Sequence, residues 1–206
     1  METAGYATLS RQSGLMREMQ VVANNIANSA TTGYRQEGLI FSEYIQSGEG
    51  QSSVSMARAN IRNTSHEQGA LDQTGGTFDF AIEGDGFFLI ETPEGERLTR
   101  AGSFTPNGEG DLVTFDGHRV LDAGGAPIFI PPNSGSIGVG PDGTISANGQ
   151  FVGQVAIVQP NDTTNLIREN GVMFRADDGF EPAEMARVLQ GFVEASNVDR
   201  FPNLRA

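Results

Sequence analysis

Phe78-Asp79-Phe80-Ala81-Ile82, the turn pair Asp85-Gly86 and then Phe87-Phe88-Leu89-Ile90 form the stretch that decides the fold. Short aromatic and β-branched runs on either side of a glycine turn read as paired strands, because such side chains suit a pleated, half-buried surface. Outward from this stretch the pattern repeats. Arg97-Leu98-Thr99-Arg100 and Leu112-Val113-Thr114-Phe115 are separated by Asn107-Gly108. Further turn pairs stand at Asp116-Gly117, Gly124-Gly125, Asp142-Gly143 and Asn148-Gly149. These dipeptides suit hairpin turns, which need positive φ. Residues 77–181 are therefore expected to form an all-β body, and much of the glycine content (27 residues) is turn chemistry.

The ends read differently. Residues 1–34 predict a helix and a turn, capped by Thr3 and stopped by Asn28-Ser29-Ala30-Thr31-Thr32-Gly33. Leu9, Leu15, Met16, Met19, Val22 and Ile26 form an apolar stripe, and Leu15, Met19, Val22 and Ile26 step by helical or heptad spacing. Residues 35–76 are polar and read as an extended, weakly packed connector. A second, shorter helix is expected from Pro182 to Ala195 on the stripe Met185, Val188, Leu189, Phe192 and Val193. The remainder of 182–206 reads as a tail. The fold class is thus mainly β, with an N-terminal assembly helix and a short C-terminal one.

Composition narrows the chemistry. The 206 residues carry 26 acidic and 13 basic side chains, a net charge of −13, and every basic residue is Arg. Such a surface repels phosphate, so nucleic acid and anionic lipid are not expected partners. Cysteine is absent, which excludes disulfides and thiolate sites. Only His66 and His118 remain as imidazoles, and both read as surface residues. Gly138-Val139-Gly140-Pro141-Asp142-Gly143 spells a dinucleotide motif, but Pro141 removes an N–H, Asp142 repels phosphate, and Thr144-Ile145-Ser146 reads as a strand. No cofactor and no metal are expected. The acids Glu83, Asp85 and Glu91 offer the one rival enzyme reading, a carbohydrate-active β domain. Against it, the chain has no Trp to stack on a sugar. No stretch reaches the ~18 continuous apolar residues of a membrane span, and the N-terminus lacks the pattern of a secretory signal.

The helix stripe needs a partner. Buried fully, its six large side chains contribute on the order of 10 kcal/mol. One reading docks the stripe on the β body; with a polar connector following, the other is association with helices of other chains.

Ala23-Asn24-Asn25-Ile26-Ala27-Asn28 with Thr31-Thr32-Gly33-Tyr34-Arg35 resembles the N-terminal signature of the family of flagellar rod and hook proteins. Tyr6-Ala7-Thr8-Leu9-Ser10-Arg11-Gln12 is similar to the opening of its proximal-rod members. Phe80 to Phe88, Leu98-Thr99-Arg100-Ala101-Gly102-Ser103-Phe104 and Gly191-Phe192-Val193-Glu194-Ala195-Ser196-Asn197-Val198 resemble three further elements in the same order. The resemblance spans residues 1–198. It implies a non-enzymatic basal-body rod subunit, whose partners are copies of itself, other rod proteins and the flagellar export apparatus. It implies export without a cleaved signal to a rod that spans the periplasm, with hook or distal-rod membership as the neighbouring alternative. Leu9, Leu15, Met16, Met19, Val22 and Ile26 would then be the assembly face, with Asn24, Asn25 and Asn28 satisfying polar groups where helices crowd. In the family the last element leads into a long C-terminal helix that pairs with the first. Here Asp199-Arg200-Phe201-Pro202 follows it and Ala206 ends the sequence, which reads as a truncated or divergent tail.

Overall fold

The computed structural model describes residues 2–46 and 54–199. Helix α1 covers Glu2–Ala27. Strands β1 (Glu37–Gln46) and β2 (Val54–Thr64) follow. Next come β3 (Leu71–Gln73), β4 (Phe80–Glu83), β5 (Phe87–Thr92), β6 (Gly95–Thr99), β7 (Phe104–Pro106), β8 (Leu112–Thr114) and β9 (Arg119–Val120). Then β10 (Ile137–Val139), β11 (Thr144–Ala147), β12 (Gln150–Gln154), β13 (Ile157–Pro160) and β14 (Leu166–Glu169). The last are β15 (Met173–Ala176), β16 (Phe180–Pro182), β17 (Arg187–Gln190) and β18 (Phe192–Glu194). Two compact units result. One holds α1 and the β1–β2 hairpin; the other holds Ala30–Tyr34 and Glu67–Asn197.

In the first unit, the segment read as a connector is extended, and its two arms pair. β1 and β2 run antiparallel from Glu37↔Thr64 to Gln46↔Val54, with a register shift at Ile40/Phe41. Helix α1 packs on both strands.

In the second unit, the order β14-β15-β6-β5-β9-β8-β7 forms the main path of the large sheet, with β13 joining β5 to β16. Every strand pair among the described residues is antiparallel. β5 explains why its sequence is continuously apolar. Alternate side chains of a strand point to opposite faces, and here both faces are covered. Phe88 and Ile90 enter a core with Phe80, Ile82, Phe104 and Leu112. Phe87 and Leu89 enter another with Leu98, Leu121 and Phe174. Ring pairs fix both cores: Phe88 meets Phe104 edge-on at 5.2 Å, and Phe87 meets Phe174 at 5.7 Å.

Most turns stand where the dipeptides place them. Positive φ occurs at Gly86, Gly117, Gly125, Gly143 and the pair Asn148-Gly149. Asn107-Gly108 differs, since Gly110 is the left-handed residue. The Asn107 side chain holds that loop by accepting the Glu109 and Asp111 amides, each at 2.9 Å. Gly140-Pro141-Asp142-Gly143 closes a turn through Gly143 N–H to the Gly140 carbonyl, and strand β11 follows.

The expected helix from Pro182 to Ala195 is not formed. Those residues close β16 and make β17 and β18. β17 pairs with β4 (Val188↔Ile82, Leu189↔Ala81), and β18 pairs with β3 (Val193↔Asp72). The adjacent pairs Val188-Leu189 and Phe192-Val193 fit a helical stripe by spacing. Yet the pairing strands lie more than a hundred residues earlier in sequence, and Gly191 at φ 77° breaks any helix between them.

Candidate functional site: a two-faced helix and a buried ion pair

Helix α1 has two different faces. Gly14, Val21 and Asn25, spaced by seven and four residues, are buried. Asn25 clamps the start of the hairpin. Its Nδ2 donates to the Glu37 carbonyl at 2.8 Å, and its Oδ1 accepts the Glu37 amide at 3.0 Å. The carboxamide thus offers β1 a partner on both its donor and its acceptor side, as a neighbouring strand would. Arg35, also buried, donates to the His66 carbonyl at 3.0 Å and ties the two ends of the hairpin together.

Leu9, Leu15, Met16, Met19, Val22 and Ile26 are all exposed. The helix therefore does have a partner within the chain, but that partner takes the other face. Asn24 and Asn28 sit at the helix end, where the Asn24 carbonyl accepts both the amide and the Nδ2 of Asn28, at 3.0 and 2.9 Å. Asn25 is thus separated from its two neighbours: it is spent inside the unit. No helix among the described residues is long and apolar enough to cross a membrane.

The quoted motifs of the body meet at a different place. Arg100 and Glu194 are each 1 % exposed. Arg100 Nε and Nη2 both reach Glu194 Oε2 at 2.6 Å. Nη1 donates to the carbonyls of Gly84 (3.0 Å) and Gly86 (2.6 Å), and Nη2 to that of Ile82 (3.1 Å). Four hydrogen bonds and the Nη2–Glu194 ion contact thus surround the guanidinium. Glu194 Oε1 accepts the Gly69 amide at 3.0 Å, and the Glu194 carbonyl accepts the Gly33 amide at 2.7 Å. Buried charge is tolerable only when paired and hydrogen-bonded in this way.

Backbone proximity locks the same place. A Cβ on Gly33 would lie 2.3 Å from the Ala101 nitrogen, and one on Gly102 would lie 1.7 Å from the Phe80 carbonyl oxygen. Phe80 N–H in turn donates to the Gly102 carbonyl at 2.8 Å. Tyr34 is buried, with the Arg168 guanidinium 4.7 Å above its ring, and its carbonyl accepts the Asn197 amide at 3.2 Å. Arg100 and Glu194 stand inside contiguous motifs that by themselves give neither a role; the local signal is a charged residue closing a strand-forming run, Leu98-Thr99-Arg100 and Phe192-Val193-Glu194.

The acids weighed for catalysis lie otherwise. Glu83, Asp85 and Glu91 are exposed, and Glu91 faces Arg119 at 3.6 Å. Among the described residues, no group of three or more His, Asp or Glu side chains could hold a metal ion.

Comparison with known proteins places this arrangement in a family. Residues 6–35 match the flagella basal body rod protein model, and residues 81–147 match the flagellar hook protein FlgE/F/G D1 domain. A flagellar basal-body rod protein FlgF of Mesorhizobium japonicum is 40% identical over 202 residues, covering 97% of this chain and 83% of that protein. The FlgF of Caulobacter vibrioides is 40% identical over 204 residues, covering 96% of this chain and 83% of that protein. A flagellar basal-body rod protein FlgG of Bacillus subtilis is 32% identical over 222 residues, covering 94% and 84%. The chain belongs to the flagellar basal-body rod protein family, and it matches the FlgF type along nearly its whole length.

Proposed function

We propose that this chain is a structural subunit of the proximal rod, part of the drive shaft of the flagellum, and that it joins the rod by helix packing. The observation that carries this reading is the exposed stripe of Leu9, Leu15, Met16, Met19, Val22 and Ile26 on a helix whose opposite face is already used. Covering these side chains stabilises an assembly by on the order of 10 kcal/mol, a sum that a polar helix face could not supply. The covering surface is an apolar helix face on copies of this chain and on other rod proteins. Asn24 and Asn28 border that face, and their amides suit the polar groups of crowded helix ends. In this division 1–34 is the assembly segment, 35–76 the connector and 77–181 the body, to which 182–195 adds the strands β17 and β18. Delivery uses the flagellar export apparatus without a cleaved signal, to a rod that spans the periplasm. No catalytic step, cofactor, nucleic acid or lipid-embedded segment enters the reading.

The test is Val22→Asp in the full chain, expressed in a flagellated strain lacking its own copy. Val22 faces solvent, so the fold should persist, while a charge in a covered apolar seam costs several kcal/mol. Basal bodies purified from that strain should lack the variant and retain the unaltered chain. Equal amounts of both would overturn the stripe as the assembly face.

A further inference from the structure

Two of the six stripe residues are methionines, three apart on one helix face. Met16 is 66% and Met19 72% exposed. The chain has no cysteine, so thioethers are its only oxidisable sulfurs. A hydroperoxide transfers one oxygen to such a sulfur. The sulfur lone pair attacks the peroxide oxygen, the O–O bond breaks, an S–O bond forms, and the departing oxygen leaves as water or alcohol with the proton. The sulfur is oxidised by two electrons and the peroxide reduced by two. The product is a polar, chiral sulfoxide that reductases reverse, and it disrupts methionine-lined interfaces.

We propose that Met16 and Met19 form a sulfoxidation site on the unassembled subunit, attacked by hydroperoxide, whose sulfoxides switch off packing of the α1 stripe. The inference rests on the stripe being the assembly face. Packing also shields the site, so a subunit already covered in an assembly keeps its thioethers, and the modification selects against damaged free subunits. The molecule carries its own controls. Met185 is 93% exposed but lies on the loop between β16 and β17, and Met173 is 5% exposed in the body core.

Two measurements decide it. Full-length chain is exposed to hydrogen peroxide and its peptides are mapped by mass spectrometry over time. Met16, Met19 and Met185 should gain oxygen about tenfold faster than Met173, as accessibility dictates. Equal rates at Met16, Met19 and Met173 would overturn the proposal. The second measurement counts incorporation into purified basal bodies for three full-length variants. Met16→Gln with Met19→Gln, which imitates the polar sulfoxides, should be incorporated about tenfold less than the unaltered chain. Met16→Leu with Met19→Leu should keep its own untreated level of incorporation after peroxide treatment of the cells, whereas the unaltered chain should lose about tenfold. Met185→Gln should change nothing. Normal incorporation of the double Gln variant would overturn the switch. If Val22→Asp blocks incorporation in the same strain, only the switch has failed; if Val22→Asp is also incorporated, the stripe reading falls as well.

Discussion

Arg100 shows how one side chain can hold three separated segments. It neutralises Glu194 and caps the carbonyls of Ile82, Gly84 and Gly86. Glu194→Gln leaves the guanidinium buried without its counter-charge, which should cost about 3–5 kcal/mol in denaturant unfolding. Buried pairs elsewhere are often replaceable by apolar residues, but Arg100→Met with Glu194→Leu should bring no relief here. The Gly84 and Gly86 carbonyls would be orphaned along with the Gly69 amide, at roughly 1–3 kcal/mol each, while the Ile82 carbonyl keeps the Gln68 side-chain amide at 2.6 Å. A double variant more stable than either single one would show that these caps contribute little. Gly102→Ala should be as severe, because its Cβ would overlap the Phe80 carbonyl that the sheet needs in place. A gentler prediction concerns Asp142. Its carboxylate accepts the Thr144 hydroxyl at 2.8 Å and amide at 3.1 Å, and these bonds hold its pKa below the ordinary carboxylate value. A depressed pKa means that the turn gains stability above the ordinary value and loses it as pH falls through the lowered one. Thr144→Val should move the Asp142 titration upward, as followed by carboxyl carbon NMR.

At the scale of elements, α1 has two unlike faces. Val21 and Asn25 are buried, Asn25 against the hairpin, and the six apolar stripe residues are exposed, the face that the proposed assembly would cover. The Asn25 clamp on Glu37 ties the helix end to β1. Asn25→Ala removes both bonds and leaves the Glu37 amide and carbonyl unmet, at a cost of about 1–3 kcal/mol. Hydrogen exchange at the Glu37 amide should accelerate in that variant, while amides of β5 keep their protection. Unchanged exchange at Glu37 would mean that the clamp is not formed in solution. The segment 182–195 makes the opposite point: its stripe fits a helix, and two distant strands claim it instead.

Across the whole molecule, charge opposes compactness. With a net charge of −13 the folded chain repels itself, and the Arg119 site alone faces Glu91, Glu109 and Asp111. Salt at ~0.15 M shortens the screening length to about 8 Å, so thermal stability should rise when sodium chloride is added to a low-salt buffer. A falling midpoint would show that the Arg pairs outweigh the general repulsion.

Local chemistry was enough to determine the β body, most of its turns, the first helix and its apolar stripe. Period, turn dipeptides and helical spacing are properties of neighbouring residues, and Phe87-Phe88-Leu89-Ile90 carries its doubly covered strand in its own composition. Family membership was legible for the same reason, since the motifs are contiguous. Only the tertiary structure decided which face of α1 the hairpin takes, because Asn25 looks like any helix-end amide until Glu37 is beside it. Only it turned Val188 and Val193 into strand residues, and only it joined Arg100 to Glu194 across 94 positions. Each of these depends on a backbone or charge partner far away in the chain, and no local pattern records where that partner will lie.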